Sequence, residues 1–345
     1  MTVYTRPANS DEYRQLVFGG DVMLGRHVNE RIQKQGVASV WGDVVTVLQQ
    51  ADFSLVNLES VIAASGEPFQ PSRAYYFRAT PSSAEALTYA GIDFVSIANN
   101  HAMDYGPQGL AETMATLEQY DIAYAGAGMN LVDAKKMKLL ESNGFKVAVI
   151  AGADHFVEYE ASDTRAGINL VQVNASATVV DEIREQVQQA HNLGADLIVF
   201  SIHWGPNWRE QPTPRFQRFA RAVIDAGVDI FHGHSAHLFQ GVEIYHGKPI
   251  LYDTGDLLDD YVYYPEKRND LQLLFRVHTF NSQMQCLELL PIQIEHLQVN
   301  FADAHETELT DHRIRKLSSS FGTRFSQQDN RLLINIHPSD CDHIQ

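Results

Sequence analysis

The sequence is short of cysteine, short of basic residues and without any long apolar run. Cys286 and Cys341 are its two cysteines, and neither stands in a paired metal-ligand spacing. That excludes a thiolate zinc site and leaves a disulfide framework unexpected, as in a reducing compartment. Lys and Arg number 26 against 43 Asp and Glu, giving a net charge of −17. Nucleic acids and anionic membranes are bound through basic patches that displace counterions, so neither is an expected partner. No stretch approaches the roughly 20 apolar residues that cross a bilayer. The opening MTVYTRPANSDEYRQ is polar and lacks the apolar core of a signal peptide. The expectation is a cytoplasmic protein acting on a small molecule or peptide.

What is present is ordinary globular material, 44% hydrophobic and 20% charged. In the first half, apolar runs alternate with helical periodicity. RQLVFGGD, DFSLVNLES, DFVSIANNHAMDYG and IAYAGAG read as strands, and WGDVVTVLQQA, SSAEALTYAG and PQGLAETMATLEQYD as helices. The second half repeats the alternation with KVAVIAG, ADLIVFSIHWG and VDIFHGH as strands, and ATVVDEIREQVQQAHNLG and TPRFQRFARAVIDAG as helices. Between them, residues 154–174 are irregular and polar, as in an inserted loop or lid. From FQGVEIYHGKPILYDTG onward, strands follow one another through short turns. This order predicts two packed sheets with helices outside. The expected division is a polar tail at 1–14, a domain at 15–300 and a C-terminal extension at 301–345.

The polar residues cluster at the strand ends. Asp21, Glu59, Asn100, His203 and His234 each lie just past the C-terminal end of a predicted buried strand. In open α/β sheets that edge binds ligands. One Asp after Gly-Gly is ordinarily a turn former, and one histidine beside a strand is ordinarily structural. Five metal-competent residues on five strands are harder to assign to turns. The set offers oxygen and nitrogen without sulfur, which suits manganese, iron or zinc, as one or two ions. FHGHSAHLFQ adds His237, a candidate ligand and catalytic group, and His232, which alternation turns to the other face. HAMDYG places Asp104 three residues after His101, where it can orient the imidazole as a general acid/base or simply cap the next helix. Arg26, Trp204 and Arg268 are candidate substrate contacts. In LYDTGDLLDDYVYYPEKRND, Asp253 and Asp256 are either a general base or turn-capping acids.

VFGGDVMLGR, ADFSLVNLES, SIANNHAMDYG, VFSIHWG and GHSAH, in this order, resemble the CapA, or poly-γ-glutamate capsule biosynthesis, family of the calcineurin-like metallophosphatase superfamily. The resemblance implies a four-layer α-β-β-α sandwich with a one- or two-metal centre at the strand ends. It implies Asp21 as the first ligand, Glu59 as a bridging ligand and Asn100 as a ligand. It makes His101 the catalytic acid, His203 a further ligand, and His234 and His237 the closing pair. Met23 stands where the resemblance places a histidine. Three functions follow: a metal-dependent hydrolase of an amide, a poly-γ-glutamate-like substrate or a phosphoester; a metal-assisted peptide epimerase; or a scaffold with a vestigial site.

Overall fold

The computed structural model describes residues 13–69, 73–328 and 331–336. Two sheets carry the fold. The larger has 10 strands, in the order 326–328, 331–335, 283–295, 271–280, 13–22, 53–58, 94–96 and 123–125, with 256–258 and 298–301 attached at its side. The smaller has six, in the order 242–245, 248–251, 230–234, 197–203, 145–153 and 138–142. The central strands of each are parallel. Parallel strands are covered on both faces and so read as continuous apolar runs. Phe145–Ala153 and Leu197–His203 are such runs, the latter buried throughout.

Three apolar layers separate four layers of secondary structure. Leu16, Phe18, Leu55 and Phe94 of the large sheet meet Val147, Val149, Val199 and Ile230 of the small one. On the outer face of the large sheet, Val17 and Val56 pack with Val28, Leu87 and Leu110 from its helices. On the outer face of the small sheet, Ile198, Phe200 and Phe231 pack with Ile183, Val187, Phe219 and Val223. Helix Ala177–Asn192 buries Ile183, Val187 and Ala190 at helical spacing. Helix Pro214–Asp225 starts with Thr213 accepting the Phe216 N–H and Pro214 at its first position. The α-β-β-α sandwich expected from the sequence is the fold observed.

The described residues beyond 300 are part of this body. Helix Ala304–Ser318, capped by Asp303, sends Ile314 and Leu317 into the layer between the sheets. Strand Arg331–Asn335 pairs with Gln283–Glu295. Its polar, mixed sequence hid a helix whose apolar side is only a few residues wide. Cys286 is disulfide-bonded, contrary to the expectation of unpaired thiols; Cys341 lies outside the described residues. Among the described residues no helix is long and apolar enough to cross a membrane.

One buried ion cluster lies far from the strand-end edge. The Glu288 carboxylate accepts from Arg276 and His278, both at 2.8 Å, and His278 pairs in turn with the Tyr13 hydroxyl. Tyr13 begins the strand that ends at Val22, and Asp21 lies about 26 Å along it at the strand rise. Burial opposes ionisation of Glu288, but His278 and Arg276 outweigh it and hold the carboxyl below its ordinary value. A depressed carboxyl contributes stability that is present above the unfolded value near 4.3 and is lost as pH falls through the folded value. Glu288→Gln is expected to cost about 3 kcal/mol at neutral pH by stranding Arg276. It should also flatten the fall of melting temperature below about pH 4.5. Thermal melts of both proteins from neutral to acid pH check this; parallel curves would remove Glu288 as a source of acid lability.

Candidate metal centre

The strand ends bring the site together by register. Asp21 stands opposite Asn57 on one side and Asp256 on the other, and His203 stands opposite His234 in the small sheet. Gly20 lets the 253–256 turn come close: a Cβ there would lie 1.9 Å from the Gly255 carbonyl oxygen. That carbonyl accepts the Asp21 N–H at 2.9 Å. Gly20→Ala must push the turn away and is expected to cost about 3 kcal/mol, with loss of bound metal. A melt and an elemental analysis check it, and an alanine variant with unchanged stability would contradict the close approach.

Two donor groups share one carboxylate. Asp21, His203 and His234 form the first, and Asp21, Glu59, His237 and Asp256 the second; all six residues are buried. Asp21 Oδ1 lies 3.8 Å from His203 Nδ1 and 3.5 Å from His234 Nδ1. Asp21 Oδ2 lies 3.6 Å from His237 Nδ1. Glu59 Oε1 lies 3.9 Å from the Nε2 atoms of both His203 and His101. Asp21 is the carboxylate common to both donor groups, and Glu59, the bridging ligand that the resemblance implies, belongs to the second.

The donor set fits a cation. Asp21 Oδ2, Glu59 Oε1, Asn100 Oδ1 and Asp256 Oδ2 are buried and have no hydrogen-bond partner. A buried acceptor left unmade costs free energy, and those of Asp21, Glu59 and Asp256 fall in one donor group, the pattern a divalent ion would satisfy. The electrostatics agree. Burial, with Glu59 and Asp256 beside it, pushes the Asp21 carboxyl well above its ordinary range. Burial, then Asp259 and Glu59, does the same to Asp256. Burial and neighbouring imidazoles hold His203 well below the usual value, and burial beside His232 does so for His234. Neutral imidazoles are ligand-ready, and a bound cation reverses the penalty on the carboxylates.

The remaining side chains orient the donors. Asn57 Nδ2 donates to Asp21 Oδ1 at 2.8 Å, and Asn99 Nδ2 donates to Asn57 Oδ1 and the Leu58 carbonyl. Tyr261 donates to Glu59 Oε2 at 2.8 Å. His237 adopts φ 57°, a left-handed conformation that costs a non-glycine residue free energy. Its Nδ1 pairs with Asp256 Oδ1 at 2.9 Å. The carboxylate of Asp253 accepts from the Ala236 and Gly255 N–H groups, so Asp253 builds the turns and Asp256 enters the site. Asp104 Oδ2 meets His101 Nδ1 at 2.6 Å, and the helix that follows uses no side-chain cap. The orienting role, rather than the capping one, is what the geometry holds. His232 hydrogen-bonds to Ser201, Thr254 and the Gly19 carbonyl and lies outside the donor groups, but it does not face the other way: two residues from His234 on one strand it shares that face, with ring centroids 5.3 Å apart.

Three expected substrate contacts are placed otherwise. Trp204 is 3% exposed and donates to the Tyr252 carbonyl within the helix-side core, packed on Phe216 and Phe231; its bulk belongs to packing, and it is corrected here from a substrate residue to a structural one. Arg26 is ion-paired with Asp260 and lies over Phe77. Arg268 forks onto both oxygens of Asp270 at 2.9 Å. Trp208, not singled out in the sequence, lies against His237 with ring centroids 5.4 Å apart. Nothing in its flanking residues signals this, because the position depends on a turn at φ 62°.

A probable polyglutamine synthesis accessory protein of Mycobacterium tuberculosis is 32% identical over 94% of this chain and 97% of its own length. The capsule biosynthesis protein CapA of Bacillus anthracis is 28% identical over 92% of this chain and 76% of its own. A solved hypothetical protein from Thermus thermophilus superposes with a TM-score of 0.52 at 14% identity, covering 81% of this chain and 100% of that one, a likeness of fold alone. The model of the bacterial capsule synthesis protein PGA_cap matches residues 15–261. The strand-end motifs lie within that match, and this chain belongs to the PGA_cap family.

Proposed function

We propose that this protein is a metal-dependent hydrolase of an amide or peptide-type bond, working in the synthesis or processing of a capsule-type polymer. The unpartnered acceptor oxygens of Asp21, Glu59 and Asp256, in one donor group, carry the reading. The names of the relatives from Mycobacterium tuberculosis and Bacillus anthracis support the polymer. Asp21, Glu59, Asn100, His203, His234 and His237 would hold manganese, iron or zinc. A divalent ion in such a set supplies Lewis acidity and lowers the pKa of water. Asn57 and Tyr261 fix the carboxylates. Asp104 occupies His101 Nδ1, which leaves Nε2 facing the carboxylates to take up a proton and pass it to the leaving group.

Charge supports a neutral reacting group over a phosphoester. Arg26 is neutralised by Asp260, Arg73 by Asp104 and Arg268 by Asp270. Each of these three guanidinium groups is thus spent on a carboxylate and not free to clamp a phosphoryl dianion. With manganese added, a γ-glutamyl anilide is expected to turn over on the order of 10²-fold faster than an aryl phosphate monoester, the scale of one missing transition-state donor. Rapid phosphate release with an inert anilide would reverse the assignment.

A second reading rests on one observation. Two His–Asp pairs, His101–Asp104 and His237–Asp256, border the same carboxylate cluster, and two bases suit epimerisation at a Cα. Incubating a glutamyl peptide in heavy water separates the two: deuterium at Cα without cleavage selects the epimerase.

A further inference from the structure

Arg73 makes more contacts around the acid/base turn than the fold of its own loop requires. One nitrogen, Nη1, donates to Asp104 Oδ1 at 2.7 Å and to the Tyr159 hydroxyl at 2.8 Å, and also reaches the Asn100 carbonyl. The guanidinium lies over the rings of Phe156, at 4.9 Å, and Tyr159, at 5.5 Å. It thus ties together the loop before Phe77, the Asn100–Asp104 turn and the polar segment that interrupts the second half of the chain. The same loop closes the other side of the turn. Phe77 N–H donates to Asp104 Oδ2 at 2.7 Å, and the Phe77 ring stacks on His101 with centroids 3.9 Å apart.

We propose that Arg73 is a positioning residue for His101, acting through Asp104. The reasoning is geometric. Asp104 must present Oδ2 to His101 Nδ1, and a carboxylate free to rotate about its Cβ–Cγ bond would present either oxygen. Arg73 occupies Oδ1 and Phe77 N–H shares Oδ2, so the carboxylate has one orientation. His101 Nδ1 then carries the proton, and Nε2 is left toward Glu59. Arg73 is itself held flat by two aromatic faces, which suits a planar guanidinium and not an ammonium. Because its charge is spent on Asp104, it does not bind substrate anions. The inference rests on the hydrolase reading only for its kinetic arm.

The test uses the full chain labelled with [15N]histidine, with His101 signals assigned by comparison with His101→Asn. In the unsubstituted protein His101 is expected to show the Nδ1-protonated tautomer and a downfield, slowly exchanging Nδ1 proton. Arg73→Ala should lose that proton signal and mix the tautomers, while metal content stays as before. Turnover of the γ-glutamyl anilide should fall about 10–100-fold, the range for groups that support a site from behind, in kcat with KM unchanged. Millimolar guanidinium should restore part of both signals. Arg73→Lys, which keeps the charge and guards against a folding failure of the alanine variant, should lie nearer to alanine than to arginine. An unchanged His101 tautomer in Arg73→Ala overturns the proposal, as does a loss seen in KM alone. If the tautomer shifts as expected but no substrate is turned over by any form, the hydrolase reading fails and the positioning role stands.

Discussion

His101→Asn is expected to lower turnover by 10²–10⁴-fold, the usual contribution of a positioned general acid/base, while leaving metal content and melting temperature close to those of the unsubstituted protein. The imidazole is 5% exposed, stacked on Phe77 and tied through Nδ1 to Asp104. Its Nε2 atom lies 3.9 Å from a Glu59 oxygen that has no donor of its own. Asparagine preserves a polar group facing Asp104 but has no second nitrogen to exchange a proton with substrate. Burial lowers the pKa of the ring, and Asp104 opposes that. Steady-state kinetics with parallel elemental analysis decide the matter. Full turnover in His101→Asn would make the ring a packing residue and remove the acid from the mechanism.

Asp21→Asn is the second large effect, and its two consequences have opposite signs. Asp21 belongs to both donor groups, so its loss should remove bound metal and, with it, all measurable turnover. Yet the metal-free protein should be no less stable with asparagine at this position. In the absence of a cation, Asp21 is a fully buried carboxyl beside Glu59 and Asp256, and like charges so placed oppose folding. Asparagine keeps an oxygen to accept the Asn57 amide and removes the charge. Melting curves with and without chelator should therefore show a metal-dependent rise for the unsubstituted protein and none for Asp21→Asn. A large destabilisation of the metal-free variant would mean that Asp21 is held by partners other than a cation.

The legibility of this site in the sequence follows from the sheet type. Parallel strands are apolar throughout, so a polar residue directly after one is conspicuous, and Asp21, Glu59, Asn100, His203 and His234 were found that way. His232 was expected on the other face, yet it shares the face of His234 and stays outside the donor groups because its ring nitrogens are taken by Ser201, Thr254 and the Gly19 carbonyl. What the sequence concealed depends on turns and long-range pairing. Asp253 and Asp256 read alike, and only the register of Asp21 against Asp256 separates ligand from turn former. Trp204 sits next to His203 in the chain, but alternation sends it to the helix-side core. Arg73 lies in a loop of polar and aromatic residues with no periodicity, and its partners come from two distant segments, Asn100–Asp104 and Phe156–Tyr159. The C-terminal helix was passed over because the polar majority of its surface dilutes the few apolar residues that enter the inter-sheet layer.

Elemental analysis of the protein, purified without chelator, tests the central claim most directly. The unpartnered oxygens of Asp21, Glu59 and Asp256 and the imidazoles of His203, His234 and His237 predict at least about one divalent transition ion per chain. Chelation should remove the ion and abolish turnover, and readdition of manganese, iron or zinc should restore it. Protein that carries no divalent ion, binds none on addition and still turns over its substrate would contradict the account.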